Sequence, residues 1–360
     1  MPIRTLLATA FAVAAAAAPV AAQASPGLLL GIDDDALKWY PQTVSLLSIY
    51  NQLGVGAVRV TLDYTPGETF PTGTERTELQ RVGNASRYIR VVLAVTGQPS
   101  SPPLDDASRA SFCGFIANVA RRYPAIRDIA IWTEPNSGRF WQPQKGASAA
   151  YEALLATCWD TLHAVQSGMN VIATSAPHQK PRRWYAGLGA AYRASHRILP
   201  IFDTVGHNAY PDTSGESPSK QHTNGSFDEG DLTRLLAALT KAFAGTKQPV
   251  PGQGGVTIWY LEDGFQAAPA TDRGLYTGTE TDKHVVSETE QATLLTAAVQ
   301  LAYCQPAVGA FFNFELRDET ELDGWQSGLL HPDWTPKPAF TAYQQALAAA
   351  RAGSITCAPK

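Results

Sequence analysis

The stretch IAIWTEPN, residues 129–136, joins an apolar run to a single carboxylate. Its first four residues are apolar or aromatic, which is typical of a strand buried inside a protein. Glu134 follows two residues after that run, and Pro135 then interrupts any regular strand because proline cannot donate a hydrogen bond to a sheet. The stretch therefore predicts a buried strand that carries a charged candidate functional group at its carboxyl end.

Seven further apolar runs of similar length occur along the chain, and segments with helical patterns lie between them. The eight predicted strands span residues 27–32, 57–62, 88–95, 128–132, 170–175, 202–210, 256–262 and 309–315. The predicted helices include residues 108–122, 147–167, 231–244, 288–303 and 338–351. Because the runs are continuously apolar rather than alternating, they indicate strands that are buried on both faces of a parallel sheet.

This order of elements predicts an α/β fold, a single-domain (β/α)8 TIM barrel over residues 25–360. Eight strand–helix units in a chain of this length suit a closed ring of strands. The alternative is an open doubly wound sheet, but no glycine-rich phosphate-binding motif follows the first predicted strand. Three long segments, 211–229, 263–287 and 316–337, follow strands and therefore predict loops at the end of the barrel where active sites lie.

Residues 1–24 have the pattern of a secretory signal peptide. Arg4 provides a positive start, an alanine-rich apolar run follows, and small residues precede the expected cleavage after Ala24. A membrane anchor is the alternative, but the run from Leu6 to Ala18 is short for a membrane span and Pro19 follows it. We therefore expect a secreted protein, extracellular or periplasmic, with no membrane association after cleavage.

The four cysteines of an exported chain predict two disulfides. Three pairings are possible in principle. We expect Cys113 with Cys158, which lie in consecutive helical patterns, and Cys304 with Cys357, which ties the C-terminal tail to a helix end. Four free buried thiols are the alternative.

Glu134 has a counterpart in Glu262, which ends the seventh predicted strand in WYLEDGFQ, residues 259–266. The two glutamates are far apart in the chain, but the carboxyl ends of barrel strands converge on one pocket. Two carboxylates in one pocket suit glycoside hydrolysis, in which one protonates the leaving oxygen and the other attacks the anomeric carbon or activates water. Alternatively, each glutamate caps a helix or pairs with an arginine.

The segments WTEPN (132–136) and WYLEDGFQ (259–266) resemble the acid/base and nucleophile regions of clan A glycoside hydrolases. The Glu-Pro-Asn run is similar to the β-xylosidase and iduronidase-like family of that clan. The resemblance implies that Glu134 is the general acid/base, that Glu262 is the nucleophile, and that anomeric configuration is retained. Retention implies carboxyl groups about 5–5.5 Å apart. The chain departs from the family at Thr133, where asparagine is usual and contacts the sugar 2-hydroxyl.

Further residues become candidates for substrate binding. Those that the resemblance implies are Arg59, Thr133, Asn136, His207 and Tyr210. Trp141 and Trp325 lie in loops after strands and are candidates for stacking on a sugar ring, whereas Trp132 and Trp259 lie within strands and are expected in the core. Arg59 facing the helices and His207 in a structural role are the alternatives. The clan often has a tryptophan on the eighth strand, where this chain offers Asn313 and Glu315.

Two other functions remain as alternatives. A carbohydrate-binding barrel without catalysis is favoured by Thr133 and by the altered eighth strand. A metal-dependent hydrolase could use the acidic run Asp33–Asp35 together with His207, although that run and the acidic segment 317–323 lack the spacing of an EF-hand and are typical of solvated loops. We expect no metal and no cofactor.

The expected partner is an oligosaccharide or polysaccharide substrate. The net charge of -4 argues against binding to nucleic acid, which favours basic surfaces. We expect a monomer.

Overall fold

The computed structural model describes residues 25, 27–253, 255–270 and 274–357. The predicted signal peptide, residues 1–24, lies outside the described residues.

Eight parallel strands form a closed barrel. The strands are β1 Leu29–Asp33, β2 Ala57–Tyr64, β3 Arg90–Gly97, β4 Asp128–Ile131, β5 Asn170–Ala173, β6 Thr204–Asn208, β7 Ile258–Asp263 and β10 Val308–Phe314, while β8 Ala267–Ala268 and β9 Val286–Ser287 form a separate short pair. Around the ring the order is β1-β10-β7-β6-β5-β4-β3-β2, and β1 pairs in parallel with both β2 and β10. This closure confirms the predicted (β/α)8 barrel and shows that the open sheet is wrong.

Helices surround the barrel in alternation with its strands. They are α1 Ala36–Trp39, α2 Thr43–Leu53, α3 Gly73–Ala85, α4 Asp106–Arg122, α5 Ala147–Val165, α6 Pro181–Ala194, α7 Leu232–Phe243, α8 Glu288–Tyr303 and α9 Pro338–Arg351. Local chemistry explains several starts: Asp105 and Ser108 form a reciprocal capping box before α4, and proline opens both α6 and α9. The predicted strands and helices that were given bounds agree with these elements within two residues at each end.

The core has two layers because successive strand residues point to opposite faces of the sheet. In β3, Val91, Leu93 and Val95 pack outward in the layer beneath the helices, while Val92 and Ala94 point into the barrel interior. All five side chains are almost fully buried. Burial on both faces explains why the strands have continuous rather than alternating apolar sequences.

Two disulfides join elements on the outside of the barrel. Cys113 in α4 is bonded to Cys158 in α5, and Cys304 after α8 is bonded to Cys357 in the tail after α9. Both predicted pairs are therefore confirmed. Each bond closes a long loop, and such bonds stabilise a fold by about 2–4 kcal/mol.

Among the described residues, none of the helices combines the length and the apolar character that crossing a membrane requires.

Candidate active site

The carboxyl ends of the barrel strands enclose a cavity of about 800 Å³. Strand ends and the loops that follow them line it, including Asp33 of β1, Arg59 of β2, Glu262 of β7 and Phe314 of β10. Glu134, three residues beyond the end of β4, lies in the same wall. Two glutamates that are distant in the chain therefore share one enclosed space. The cavity has the size of a small-ligand site.

Glu262 is held by an arginine and a tyrosine. Arg59 Nη1 lies 2.9 Å from Glu262 Oε1 and 2.5 Å from Asp33 Oδ2. The side chains of all three residues are largely buried. The β1–β2 register places Asp33 directly beside Arg59, so the strand pairing itself assembles this contact. The Tyr210 hydroxyl donates to Glu262 Oε2 at 3.2 Å. The arginine and the tyrosine together hold both oxygens of Glu262 in place.

Glu134 has a different environment. Asn208 Nδ2 donates to Glu134 Oε1 at 2.8 Å, and Asn208 pairs in register with Glu262 at the end of β6, so it stands between the two glutamates. Burial raises the pKa of Glu134 to about 7, with the negative charge of Glu262 as the second cause. The hydrogen bond from Asn208 and the charges of Arg59 and Arg139 oppose this rise in pKa. Near neutral pH, Glu134 is therefore partly protonated and able to donate a proton.

The backbone turns sharply to bring Glu134 into the cavity. Glu134 has φ +37° and Trp132 has φ +63°, a left-handed region that L-residues rarely adopt. The loop is braced from the side, because Asn136 Oδ1 accepts from the Ala176 amide at 2.8 Å and its Nδ2 donates to the Ala176 carbonyl at 3.0 Å. Such a conformation costs about 1–3 kcal/mol per residue and persists when surrounding contacts impose it.

An aromatic face borders the cavity beside Glu262. Tyr210 and Trp325 stack with ring centroids 5.7 Å apart and planes inclined by 25°, and Phe314 meets Trp325 edge-on at 5.5 Å. Trp325 keeps 36% of its surface exposed although it lines the cavity. An exposed indole at the mouth of a polar cavity can stack on the CH-rich face of a sugar.

Of the seven predicted substrate-binding residues, four line the cavity and three lie apart from it. Arg59, Thr133, Tyr210 and Trp325 line the cavity together with the two glutamates. Asn136, described above, braces the loop. Trp141 is fully buried and packs edge-on between Trp132 and Tyr151.

His207 also lies apart from the cavity, because both of its ring nitrogens are used in the core. Its Nδ1 lies 2.8 Å from Ser175 Oγ, its Nε2 lies 2.6 Å from the Phe227 carbonyl oxygen, and the side chain has no exposed surface. Burial lowers the pKa of His207 to about 4, so the ring is neutral. His207 therefore does not line the cavity as predicted for a substrate-binding residue. Its neighbour Asn208 contacts Glu134 instead, because adjacent strand residues face opposite sides.

Sequence reasoning did not assign Asn208 or Glu315 to the site. Asn208 lies next to His207 in the segment GHNAYP, and only the pleat of β6 distinguishes the two. Glu315 follows the end of β10 and lines the cavity as a buried residue. In the sequence, both residues could have been identified as candidates from their position at the end of a predicted strand.

The groups able to hold a metal lie around His222, and one member, Asp212, also lines the cavity. Among the described residues, two such groups share His222: one adds Asp212 and Glu216, the other Asp228 and Asp231. His222 Nε2 lies 3.0 Å from Glu216, and Nδ1 lies 3.0 Å from Asp231 and 3.1 Å from Asp228. Carboxylates therefore flank both ring nitrogens, an arrangement that suits a protonated imidazole.

The acidic run after β1 is not arranged as a metal site with His207. Asp33 pairs with Arg59, Asp34 accepts from the backbone amides of Ala36 and Leu316, and Asp35 pairs with Lys38. These contacts, together with the buried position of His207, give no support to the metal-dependent hydrolase.

Comparison with solved structures finds similar folds in glycoside hydrolases. No protein-family model matches the chain, and no curated protein matches it. A family 39 glycoside hydrolase from Bacteroides cellulosilyticus WH2 is similar in structure, with a TM-score of 0.64 and 15% identity over 90% of this chain and 64% of that one. A family 2 β-galacturonidase from Eisenbergiella tayi has a TM-score of 0.54 and 14% identity over 89% of this chain and 51% of that one.

Another similar structure is β-glucuronidase 2 from Bacteroides uniformis covalently bound to cyclophellitol-6-carboxylate aziridine. It has a TM-score of 0.56 and 14% identity over 89% of this chain and 35% of that one. The chain thus spans less than two thirds of the length of each of these three structures. At such low identity the likeness establishes the barrel fold, which many unrelated functions share.

Proposed function

We propose that the protein is a secreted retaining glycosidase that hydrolyses O-glycosidic bonds by a double displacement with two glutamates. The observation that carries the proposal is the pairing of Glu134 and Glu262 in one cavity with opposite environments. Glu262 contacts the Arg59 guanidinium, whereas burial and the charge of Glu262 raise the pKa of Glu134 to about 7. A carboxyl group with a raised pKa beside a second carboxyl group that contacts an arginine is typical of an acid and a nucleophile.

In the first step, Glu262 attacks the anomeric carbon as Glu134 gives its proton to the leaving oxygen. The bond from carbon to the leaving oxygen breaks while an ester to Glu262 forms, so an alcohol departs and a glycosyl-enzyme remains. Arg59 and the Tyr210 hydroxyl fix the orientation of the Glu262 oxygens for this attack. We expect the carboxyl groups to be about 5–5.5 Å apart, the separation of retaining enzymes.

In the second step, Glu134 takes a proton from water, and the water oxygen displaces Glu262 from the anomeric carbon. The electrostatic coupling of the two glutamates assists this exchange of roles. Once Glu262 is esterified its negative charge is gone, so one cause of the raised pKa of Glu134 disappears. Glu134 then becomes a carboxylate more readily and acts as the general base.

Several observations support parts of this proposal. The similar structures are glycoside hydrolases, and one is a covalent adduct of a β-glucuronidase. Two disulfides are typical of exported proteins and support secretion. Thr133 lines the cavity at the position where the resembled family usually has asparagine, and its single hydroxyl offers the substrate only one donor.

The experiment that tests the proposal is azide rescue of Glu134→Ala on a panel of activated aryl glycosides. These substrates need little acid assistance, so the glycosyl-enzyme forms but water attacks it slowly without a general base. We expect added azide to restore turnover and to give a glycosyl azide with the configuration of the substrate. Wild type is the control, and azide is expected to leave its rate unchanged.

Two results would contradict the proposal. An azide product of inverted configuration from Glu134→Ala excludes the assigned role of this residue. Binding of glycosides without any hydrolysis by wild type favours the carbohydrate-binding barrel instead.

A further inference from the structure

The wall of the cavity formed by the ends of β1 and β10 is acidic and buried. Asp33, Asp34 and Glu315 line this wall, and each exposes less than a tenth of its surface. Asp33 pairs with Arg59, and Asp34 accepts hydrogen bonds from the backbone amides of Ala36 and Leu316. These contacts provide partners for two of the three carboxyl groups, and the third belongs to Glu315.

Glu315 is a buried carboxyl group with one oxygen, Oε1, that is unpaired within the described part of the chain. It exposes 7% of its surface. Burial raises the pKa of Glu315 well above its usual range, and the nearby Asp34 and Glu319 raise it further. A protonated carboxyl group offers one O–H donor and one carbonyl acceptor. A buried polar atom left unpaired costs free energy, which a bound hydroxyl group can recover.

The charged groups that act most strongly on Glu315 are all acidic: Asp34, Glu319, Asp318 and Asp33. Within the described part of the chain, the arginines that line the cavity are Arg59 and Arg139. Arg59 is occupied by Asp33 and Glu262, and the charge of Arg139 acts on Glu134. Glu134 protonates the leaving group in the proposed mechanism, so Arg139 lies on the leaving-group side of the cavity. A carboxylate of a bound sugar next to Glu315 would therefore be desolvated among acids without a cation.

We propose that Glu315 determines specificity by hydrogen bonding to a hydroxyl group of the glycone, so that the cavity accepts neutral glycosides and rejects uronides. The inference rests on the proposed function, because it assumes that the cavity holds a glycone. A specificity for neutral glycosides would distinguish this protein from the structurally similar β-galacturonidase and β-glucuronidase, whose names indicate uronide substrates.

Calorimetric titration with sugar lactams tests this inference without requiring hydrolysis. The probes are the 1,5-lactams of glucose, galactose and xylose, and the 6-carboxylate counterparts of the first two, each added to wild type, Glu315→Gln and Glu315→Leu. We expect at least one neutral lactam to bind wild type tenfold or more tightly than any carboxylate. Glu315→Gln should keep the affinity within about threefold because an amide also donates and accepts, and Glu315→Leu should lose about tenfold.

Glu229 provides a matched control, because it is also a buried glutamate with unpartnered oxygens among the described residues, but it does not line the cavity. Glu229→Gln should leave every lactam affinity unchanged, and thermal unfolding of all variants verifies that they fold. A carboxylate lactam that binds as tightly as its neutral counterpart, an unchanged affinity in Glu315→Leu, or no binding by any lactam overturns the inference. Lactam binding as expected, combined with no glycoside hydrolysis, overturns the proposed function and supports the inference.

Discussion

The protein has two clusters of carboxyl groups around a positively charged or protonatable side chain, and they differ in how fully they are paired. Around His222, a carboxylate lies within about hydrogen-bonding distance of each ring nitrogen, and Arg234 and Lys220 contact the same acids. In the cavity, Arg59 contacts Asp33 and Glu262. Among the residues that the structure describes, however, the Glu134 carboxyl group accepts a hydrogen bond from Asn208 alone, and Glu315 Oε1 has no partner.

This difference indicates different roles. A cluster in which each charge has a partner stabilises the loop that carries it. A cavity that leaves acids short of partners keeps them available for a substrate, at a cost in stability that the rest of the fold must offset. Changes in the cavity should therefore affect turnover, and changes around His222 should affect stability.

The largest effect is expected from Glu262→Gln. The amide is nearly isosteric with the carboxylate but cannot form the ester intermediate, so kcat should fall by about a thousandfold or more. Removal of the charge beside Arg59 should leave the fold intact because Asp33 still pairs with this arginine. Steady-state kinetics and thermal unfolding provide the two measurements, and near-normal activity in this variant would exclude Glu262 as the nucleophile.

The second largest effect is expected from His222→Gln, which should change stability but not turnover. Removal of one member of a buried ion pair costs about 3–5 kcal/mol, so His222→Gln should reduce the free energy of unfolding by about this amount at pH 5.5. Burial lowers the pKa of His222, but its contacts with Asp231 and Glu216 outweigh burial and raise the pKa above the ordinary value. The stabilisation is therefore complete below the pKa of unfolded histidine, about 6.5, and is lost as pH rises through the folded pKa.

Urea unfolding at pH 5.5 and pH 8.5 measures this effect, and the deficit of His222→Gln should be smaller at the higher pH. His163→Gln is the matched control, because His163 pairs with Asp203 at 2.9 Å in a more exposed position and should contribute about 1 kcal/mol or less. Turnover should be unchanged in His222→Gln. A fall in melting temperature of wild type after chelator treatment would instead identify the His222 cluster as a metal site.

The smallest effect is expected in the pH dependence of activity. Glu134 must be protonated to donate to the leaving group, so kcat/KM of wild type should fall as pH rises through about 7, the pKa that burial and Glu262 impose. Asn208→Ala removes a hydrogen bond that favours the charged form of Glu134, so this alkaline limb should move to higher pH. A limb that stays in place or moves to lower pH would show that Glu134 is not the titrating acid.

The architecture could be predicted from the sequence because its signals are local. Apolar runs buried on both faces, helical segments between them and the order of eight units were sufficient to predict the barrel and the residues at its strand ends. The cysteines in consecutive helices were also paired correctly. Neighbouring residues were harder to distinguish, as His207 and Asn208 show. Both are polar, and only the direction in which each side chain of β6 points places His207 in the core and Asn208 in contact with Glu134.

The sequence also could not predict which loop residues lie at the cavity and which lie in the core. Trp141 and Trp325 both follow strands, but Trp141 is enclosed by Trp132 and Tyr151 while Trp325 borders the cavity beside Tyr210. No local pattern separates them, because the path of each loop depends on what it packs against.

By itself the sequence determined the strand–helix order, the disulfide partners and the presence of a glutamate after β4 and another at the end of β7, because periodicity and residue type act over short distances along the chain. Only the tertiary structure decided that these two glutamates share a cavity, that Arg59 contacts one of them, and that Glu315 Oε1 has no partner in the described part of the chain. Proton affinity depends on burial and on charges a few ångströms away, and ring closure brings those charges together from distant parts of the chain.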